Sequence, residues 1–277
     1  MKLPNFIVEH KINFVLVGVL LLLLIGGFLG YQKFFADRNL ILLSEIDLTF
    51  DPEGPYALLF PRRDGNALVL NLKRTSSYDS ISYELAYNAE GIDRGVVGDI
   101  KTNEKKGEYE QEVLFGTCSK NVCKYDKGVE NGTLTLHIKK GRQPYRMITQ
   151  WHLQKPAISL GNLTSGDEHF SYSMVGAKRE DLTLVGYSIV NDLTGVPKLP
   201  DGKDIFGKVY ALNVPLAKEL MAGQVSVELA NNPPSDTKLF RYSDKKGWEE
   251  LETKVNGSNL SAKASGAGIF AVLASKK

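Results

Sequence analysis

Chemistry-bearing residues are scarce in this chain. It has two cysteines and four histidines in 277 residues. There is no second cysteine pair, and the nearest histidine is His137, so a closed four-ligand zinc site is poorly supplied. The spacing Cys118-Ser-Lys-Asn-Val-Cys123 departs from Cys-x-x-Cys, which removes the redox dithiol motif. Excess charge is missing too: 34 basic against 32 acidic residues leave +2, too little to recruit nucleic acid or an anionic surface. No Gly-x-Ser-x-Gly elbow, phosphate-cradling loop or dinucleotide fingerprint occurs. Helical periodicity is rare, and 26 glycines with 11 prolines suit many turns between short strands better than a helical bundle.

What is present begins with one long apolar run. No charged residue falls between Lys11 and Lys33, and a helix of about 20 residues spans a hydrocarbon core of about 30 Å. The run is longer than a signal-peptide core and lacks a small-x-small site after it, so 12–32 is expected to be an uncleaved transmembrane helix. Gly26 and Gly30 form a small-xxx-small pair through which two such helices approach closely. Lys2 and Lys11 before the run are balanced by Lys33 and Arg38 after it, so charge does not orient it. The cysteines do: a short-spaced pair suits a disulfide in an oxidising compartment, which places the N-terminus in the cytoplasm and the C-terminal part outside. Free thiols, or two thiolates of a metal site, are the alternatives for Cys118 and Cys123.

Beyond a stalk at 33–43 the sequence alternates. Ile81, Tyr83, Leu85 and Tyr87 oppose Ser82, Glu84 and Ala86; Leu134, Leu136 and Ile138 oppose Thr133, Thr135 and His137. Tyr145, Met147, Trp151 and Leu153 oppose Arg146, Gln150 and His152. Strands with one wet face belong to antiparallel sheets packed on one side. A proline- and glycine-bearing stretch at 156–168 reads as a linker. Strands then recur at 169–175, 182–190, 207–213, 224–230, 237–243, 248–252, 259–264 and 269–274, with one helical turn at 216–221. The expected organisation is a cytoplasmic segment (1–11), the helix, the stalk, and an all-β ectodomain of two tandem antiparallel β-sandwiches, 44–155 and 169–277. Hairpin turns are expected at 243–247 and at Asn256-Gly257.

The segments Lys238-Leu-Phe-Arg-Tyr242, Gly247-Trp-Glu-Glu-Leu251, Asn259-Leu-Ser-Ala262 and Gly268-Ile-Phe-Ala-Val-Leu273 resemble the closing hairpins of immunoglobulin-like modules in prokaryotic cell-surface and surface-layer proteins. The resemblance implies a fold and an extracytoplasmic setting, and carries no catalytic residue. No family is recognised in 44–155.

His137 and His152 sit on the wet faces of neighbouring strands, where they would approach each other and, with a carboxylate, form a metal site. Asp167-Glu168-His169 offers a second mixed set. Asp51-Pro52-Glu53 and Asp201-Gly202-Lys203-Asp204 offer oxygens to calcium, though neither matches an established calcium loop. Glu249, Glu250 and Glu252 read as polar hairpin positions. Asn131, Asn162, Asn256 and Asn259 begin glycosylation sequons. No catalytic, cofactor or metal residue is assigned. The functional expectation is a single-pass membrane protein whose non-enzymatic modules serve binding, adhesion or envelope assembly through a protein or envelope partner. The alternative is a tethered hydrolase or carbohydrate-processing enzyme.

Overall fold

The computed structural model describes residues 11–34, 44–100, 107–120, 122–154, 161–174, 176–178, 187–216 and 218–276. The chain forms two compact units, 1–44 and 45–277.

The first unit contains helix α1 (Lys11–Phe34), 24 residues long. Its described side chains, Val17 to Tyr31, are apolar all round and exposed, Leu22 by 71%. That described stretch is shorter than a membrane span, and among the described residues no helix is long and apolar enough to cross a membrane. Nothing lies within 4 Å of a Cβ built on Gly26 or Gly30. The expected N-terminal segment up to residue 10, and the stalk from residue 35, lie outside the described residues.

The second unit is built of strands. The first ten are β1 (Ile46–Asp47), β2 (Tyr56–Pro61), β3 (Ala67–Lys73), β4 (Ser80–Ala89), β5 (Ile92–Ile100), β6 (Glu108–Leu114), β7 (Gly116–Ser119), β8 (Val122–Tyr125), β9 (Asn131–Lys140) and β10 (Gln143–Gln154). Then follow β11 (Asn162–Thr164), β12 (Phe170–Ser173), β13 (Tyr187–Asn191), β14 (Lys203–Ile205), β15 (Tyr210–Asn213), β16 (Gly223–Glu228), β17 (Lys238–Ser243), β18 (Gly247–Glu250), β19 (Lys254–Asn256), β20 (Asn259–Ala264) and β21 (Gly268–Ser275).

One sheet of eleven strands, with the main order β18-β17-β21-β15-β13-β10-β9-β4-β5, runs through the whole unit. It passes directly from one expected sandwich to the other: β10 pairs antiparallel with β13, Gln150 opposite Asn191 and Trp151 opposite Val190. The two expected modules thus share a sheet, and the part of the expected linker at 156–160 lies outside the described residues.

Two smaller sheets cover this layer. The sheet β2-β3-β6 packs Leu59, Leu68, Leu70 and Val113 onto one face, against Leu85, Leu136 and Trp151 and also against Val190, Phe240 and Ile269. The sheet β11-β12-β16-β20-β19 packs Phe170, Tyr172, Val225 and Leu260 onto the other, against Ile189, Tyr210, Leu212, Phe270 and Val272. Strands β15 and β21 are therefore buried on both faces, which accounts for their nearly unbroken apolar runs. Strands β4, β9 and β10 are buried on one face only, and their alternation is clean.

Both expected hairpins form. Gly247 and Gly257 take φ of 70° and 60°. In the second, Asn256 pairs with Asn259, so the turn residues are Gly257-Ser258 rather than Asn256-Gly257, with glycine at the first central position as a type II′ turn requires. The helical turn expected at 216–221 is absent from its described residues; a single turn closes instead, with the Lys218 amide donating to the Pro215 carbonyl at 3.0 Å. The part of the strand expected at 182–186 lies outside the described residues.

Cys118 and Cys123 are cross-strand partners in the β7-β8 hairpin and are disulfide-bonded, with Cα atoms 4.0 Å apart.

Candidate functional site

The cover on the central sheet is uneven. On the face that holds Ile189 and Tyr210, the sheet β11-β12-β16-β20-β19 ends over β10, where Gln154 bonds to Thr164 through the Thr164 amide at 2.9 Å. Beyond that line, among the described residues, the same face of β10, β9, β4 and β5 is uncovered. It presents Ile148, Thr135, Glu84 and Val97 in one cross-strand row, with Val97 75% exposed. The next row runs across five strands as Asn191, Gln150, Thr133, Ala86 and Gly95.

A cleft of about 390 Å³ lies at the step, within the ordinary range for small-ligand pockets. Its floor carries Ala86, Gly132, Thr133, Gln150 and Asn191, its outer end Asn88, Asp93 and Arg94, and its wall Gly166 from the β11-β12 turn. Tyr87 and Trp151 also line it. Trp151, 1% exposed, is stacked on Phe115 at 5.8 Å.

Local hydrogen bonds fix the amides. Asn88 Nδ2 donates to Asp93 at 3.0 Å, and Asn191 Nδ2 donates to Gln150 Oε1 at 3.2 Å. His152 Nδ1 lies 2.7 Å from Asn131 Oδ1, which makes Nδ1 the protonated nitrogen of this pair. Burial favours the neutral imidazole and lowers the His152 pKa, against a weaker pull from Glu130. One buried polar atom on the cleft face is left without a partner, the Asn191 Oδ1; the Trp151 indole N–H is likewise unpartnered on the covered face beneath. An unsatisfied buried group costs about 1–3 kcal/mol.

The wall is held by charge. Lys208 reaches Asp167 at 3.0 Å and Asp192 at 3.1 Å, and Asp167 also accepts from Ser165 at 2.5 Å and Tyr210 at 3.3 Å. Burial would raise the Asp167 pKa, but the Ser165 and Lys208 contacts outweigh it and hold the carboxyl below its usual value. Burial beside Asp167 pushes the Tyr210 phenol up. At the outer end the Tyr87 phenol, buried and bonded to Asp126, is pushed up to about 12.

The other candidate ligands are dispersed. His137 faces Arg146 across the β9-β10 ladder while His152 faces Asn131, six positions away, or about 20 Å along the strands. His137 instead bonds Glu45 at 2.8 Å, and His169 pairs with Glu228 at 3.5 Å. The approach of His137 to His152 expected from neighbouring wet faces is corrected by this register. Glu249 is paired with Arg241 and Lys246. The acidic loops at 51–53 and 201–204 do meet, in a depression of about 740 Å³, but Arg74, Lys198, Lys203 and Lys276 line it with them. Among the described residues no group of three His, Cys, Asp or Glu side chains is placed to hold a metal.

No family model matches the chain, and no curated protein matches it. The polar residues of the cleft escape a sequence reading because they occupy ordinary wet-face positions. Their one local signal is Gly132, a glycine inside a well-patterned strand, which marks a close approach.

Proposed function

We propose that the protein is a membrane-anchored, extracytoplasmic binding protein, and that the uncovered sheet face with its cleft is the surface that holds the partner. The observation that carries this reading is the half-covered sheet. The unit encloses one half of its central sheet on both faces, yet leaves the row from Ile148 to Val97 bare and sets a cleft at the boundary. The side chains on the cleft floor, Thr133, Gln150 and Asn191, are amides and a hydroxyl, which bind and orient but are weak nucleophiles and bases.

Anchoring is supported by the uncharged stretch between Lys11 and Lys33 and by a helix that is apolar all round, a pattern that needs an apolar surrounding. The disulfide supports the extracytoplasmic side. The immunoglobulin-like resemblance of the closing hairpins agrees with a surface setting.

The test pairs topology with retention. Protease added to intact cells should digest the 45–277 unit; full protection overturns the orientation. The full-length chain should sediment with washed envelope material, and Thr135→Arg, which places a long cation in the middle of the bare face, should release it at least tenfold. Equal retention of the parent and the variant overturns the assignment of the face.

A further inference from the structure

Resting on that reading of the face, we propose that the cleft is a neutral-saccharide site, in which Asn131, Thr133, Gln150 and Asn191 read sugar hydroxyls.

The argument starts from the hydrogen-bonding inventory. A sugar hydroxyl donates one hydrogen and accepts others, so its recognition calls for fixed donors and acceptors side by side, without net charge. Each amide here is pinned through one end. Asn131 is held through Oδ1 by His152, and Gln150 through Oε1 by Asn191. The Nδ2 of Asn131 and the Nε2 of Gln150 have no partner among the described residues, and the Asn131 donor is thus held ready with little rotamer freedom left to lose.

An orphaned atom sharpens the choice: Asn191 Oδ1 is a buried acceptor without a partner, on a residue that lines the cleft. A sugar hydroxyl donates to such an acceptor while accepting from a neighbouring amide. Gln150 is the exposed side chain bonded to Asn191, so its rotation is the movement that admits a hydroxyl to that acceptor.

Charge argues against an anionic ligand. At the rim Arg94 is paired with Asp126 at 3.3 Å, and among the described lining residues an anion would find no free cation at the floor.

The protein supplies its own reporter, because Trp151 and Trp248 are its two tryptophans. Full-length Trp248→Phe protein, held in a detergent without a sugar headgroup, is titrated with maltotriose, cellotriose, mannotriose and triacetylchitotriose while Trp151 emission is followed. At least one trisaccharide should give a saturable change with half-saturation between about 10 µM and a few mM, and Asn131→Ala should weaken it at least tenfold without changing the circular dichroism. Calorimetric titration of the unsubstituted chain gives the same readout if Trp248→Phe does not fold. Flat titrations by both methods, with a folded protein, overturn the saccharide assignment. If the titrations are flat but Thr135→Arg still releases the chain from envelope material, the face binds and only the ligand class fails; if Thr135→Arg has no effect either, the reading of the face fails with it.

Discussion

Gly132 stands opposite Trp151 in the β9-β10 ladder, and a Cβ at Gly132 would lie 2.3 Å from the indole Cζ2 and 2.2 Å from the Ala86 carbonyl. The tryptophan lies across the strand because the glycine has no side chain, and it thereby carries the floor of the cleft onto Phe115. Gly132→Val should overpack this contact and lower stability by about 3 kcal/mol, with a red shift of Trp151 emission. An unchanged denaturation midpoint would show that the strands separate freely here.

Arg241 closes the far end of the same sheet. Only 8% exposed, it donates to the Gly266 and Ala267 carbonyls at 3.1 and 2.7 Å and to Glu249 at 3.0 Å. Arg241→Ala leaves those carbonyls and a part-buried carboxylate without their donor, and should cost about 2–4 kcal/mol. Arg241→Lys should recover little, since a point charge cannot serve three separate acceptors as a planar fork does. Denaturant unfolding of the two variants checks this; full rescue by lysine would contradict it.

The disulfide staples an exposed hairpin that belongs to neither core. Its closed loop is short, so its removal through Cys118→Ser with Cys123→Ser should cost about 2 kcal/mol on a chain-entropy estimate. Trapping thiols in the native protein should label neither cysteine before reduction and both after it. Labelling without reduction would contradict the oxidised pair and, with it, the extracytoplasmic setting.

Acid should weaken the wall and floor of the cleft in two stages. The His152 pKa is lowered from 6.5, so the unfolded chain takes up the proton first; stability is full above that value and falls as pH drops below it. The Asp167 carboxyl is held below 3.8, so its contribution is present above that value and is lost as pH falls through the folded pKa. Melting temperatures of His152→Gln should lose the first stage and keep the second, and those of Asp167→Asn should lose the second and start lower at neutral pH. Parallel melting curves for the parent and both variants would contradict the assignment.

The period-two strands were legible where one face meets water. Tyr83, Leu85, Leu134, Leu136 and Met147 are buried as their alternation requires, and Glu84, Thr135 and Gln150 point the other way. What could not be read was long-range pairing. Gln150 meets Asn191 across 41 positions, and no local pattern announces that β10 continues into β13 instead of ending a module. Strand β5, rich in glycine and charge, resembles a loop and is made a strand by its ladder with β4. The cleft exists because of these pairings: its four-strand floor joins residues from 86 to 191 that carry no common motif.

The central claim, that the bare face of β5, β4, β9 and β10 is where the partner sits, is tested most directly by a photo-crosslinking residue at position 135 in living cells. A benzophenone side chain replacing Thr135 should yield a discrete higher-mass adduct on irradiation, while the same group replacing Lys245, on the exposed β17-β18 turn, should not. Adducts at 245 with none at 135 would contradict the account.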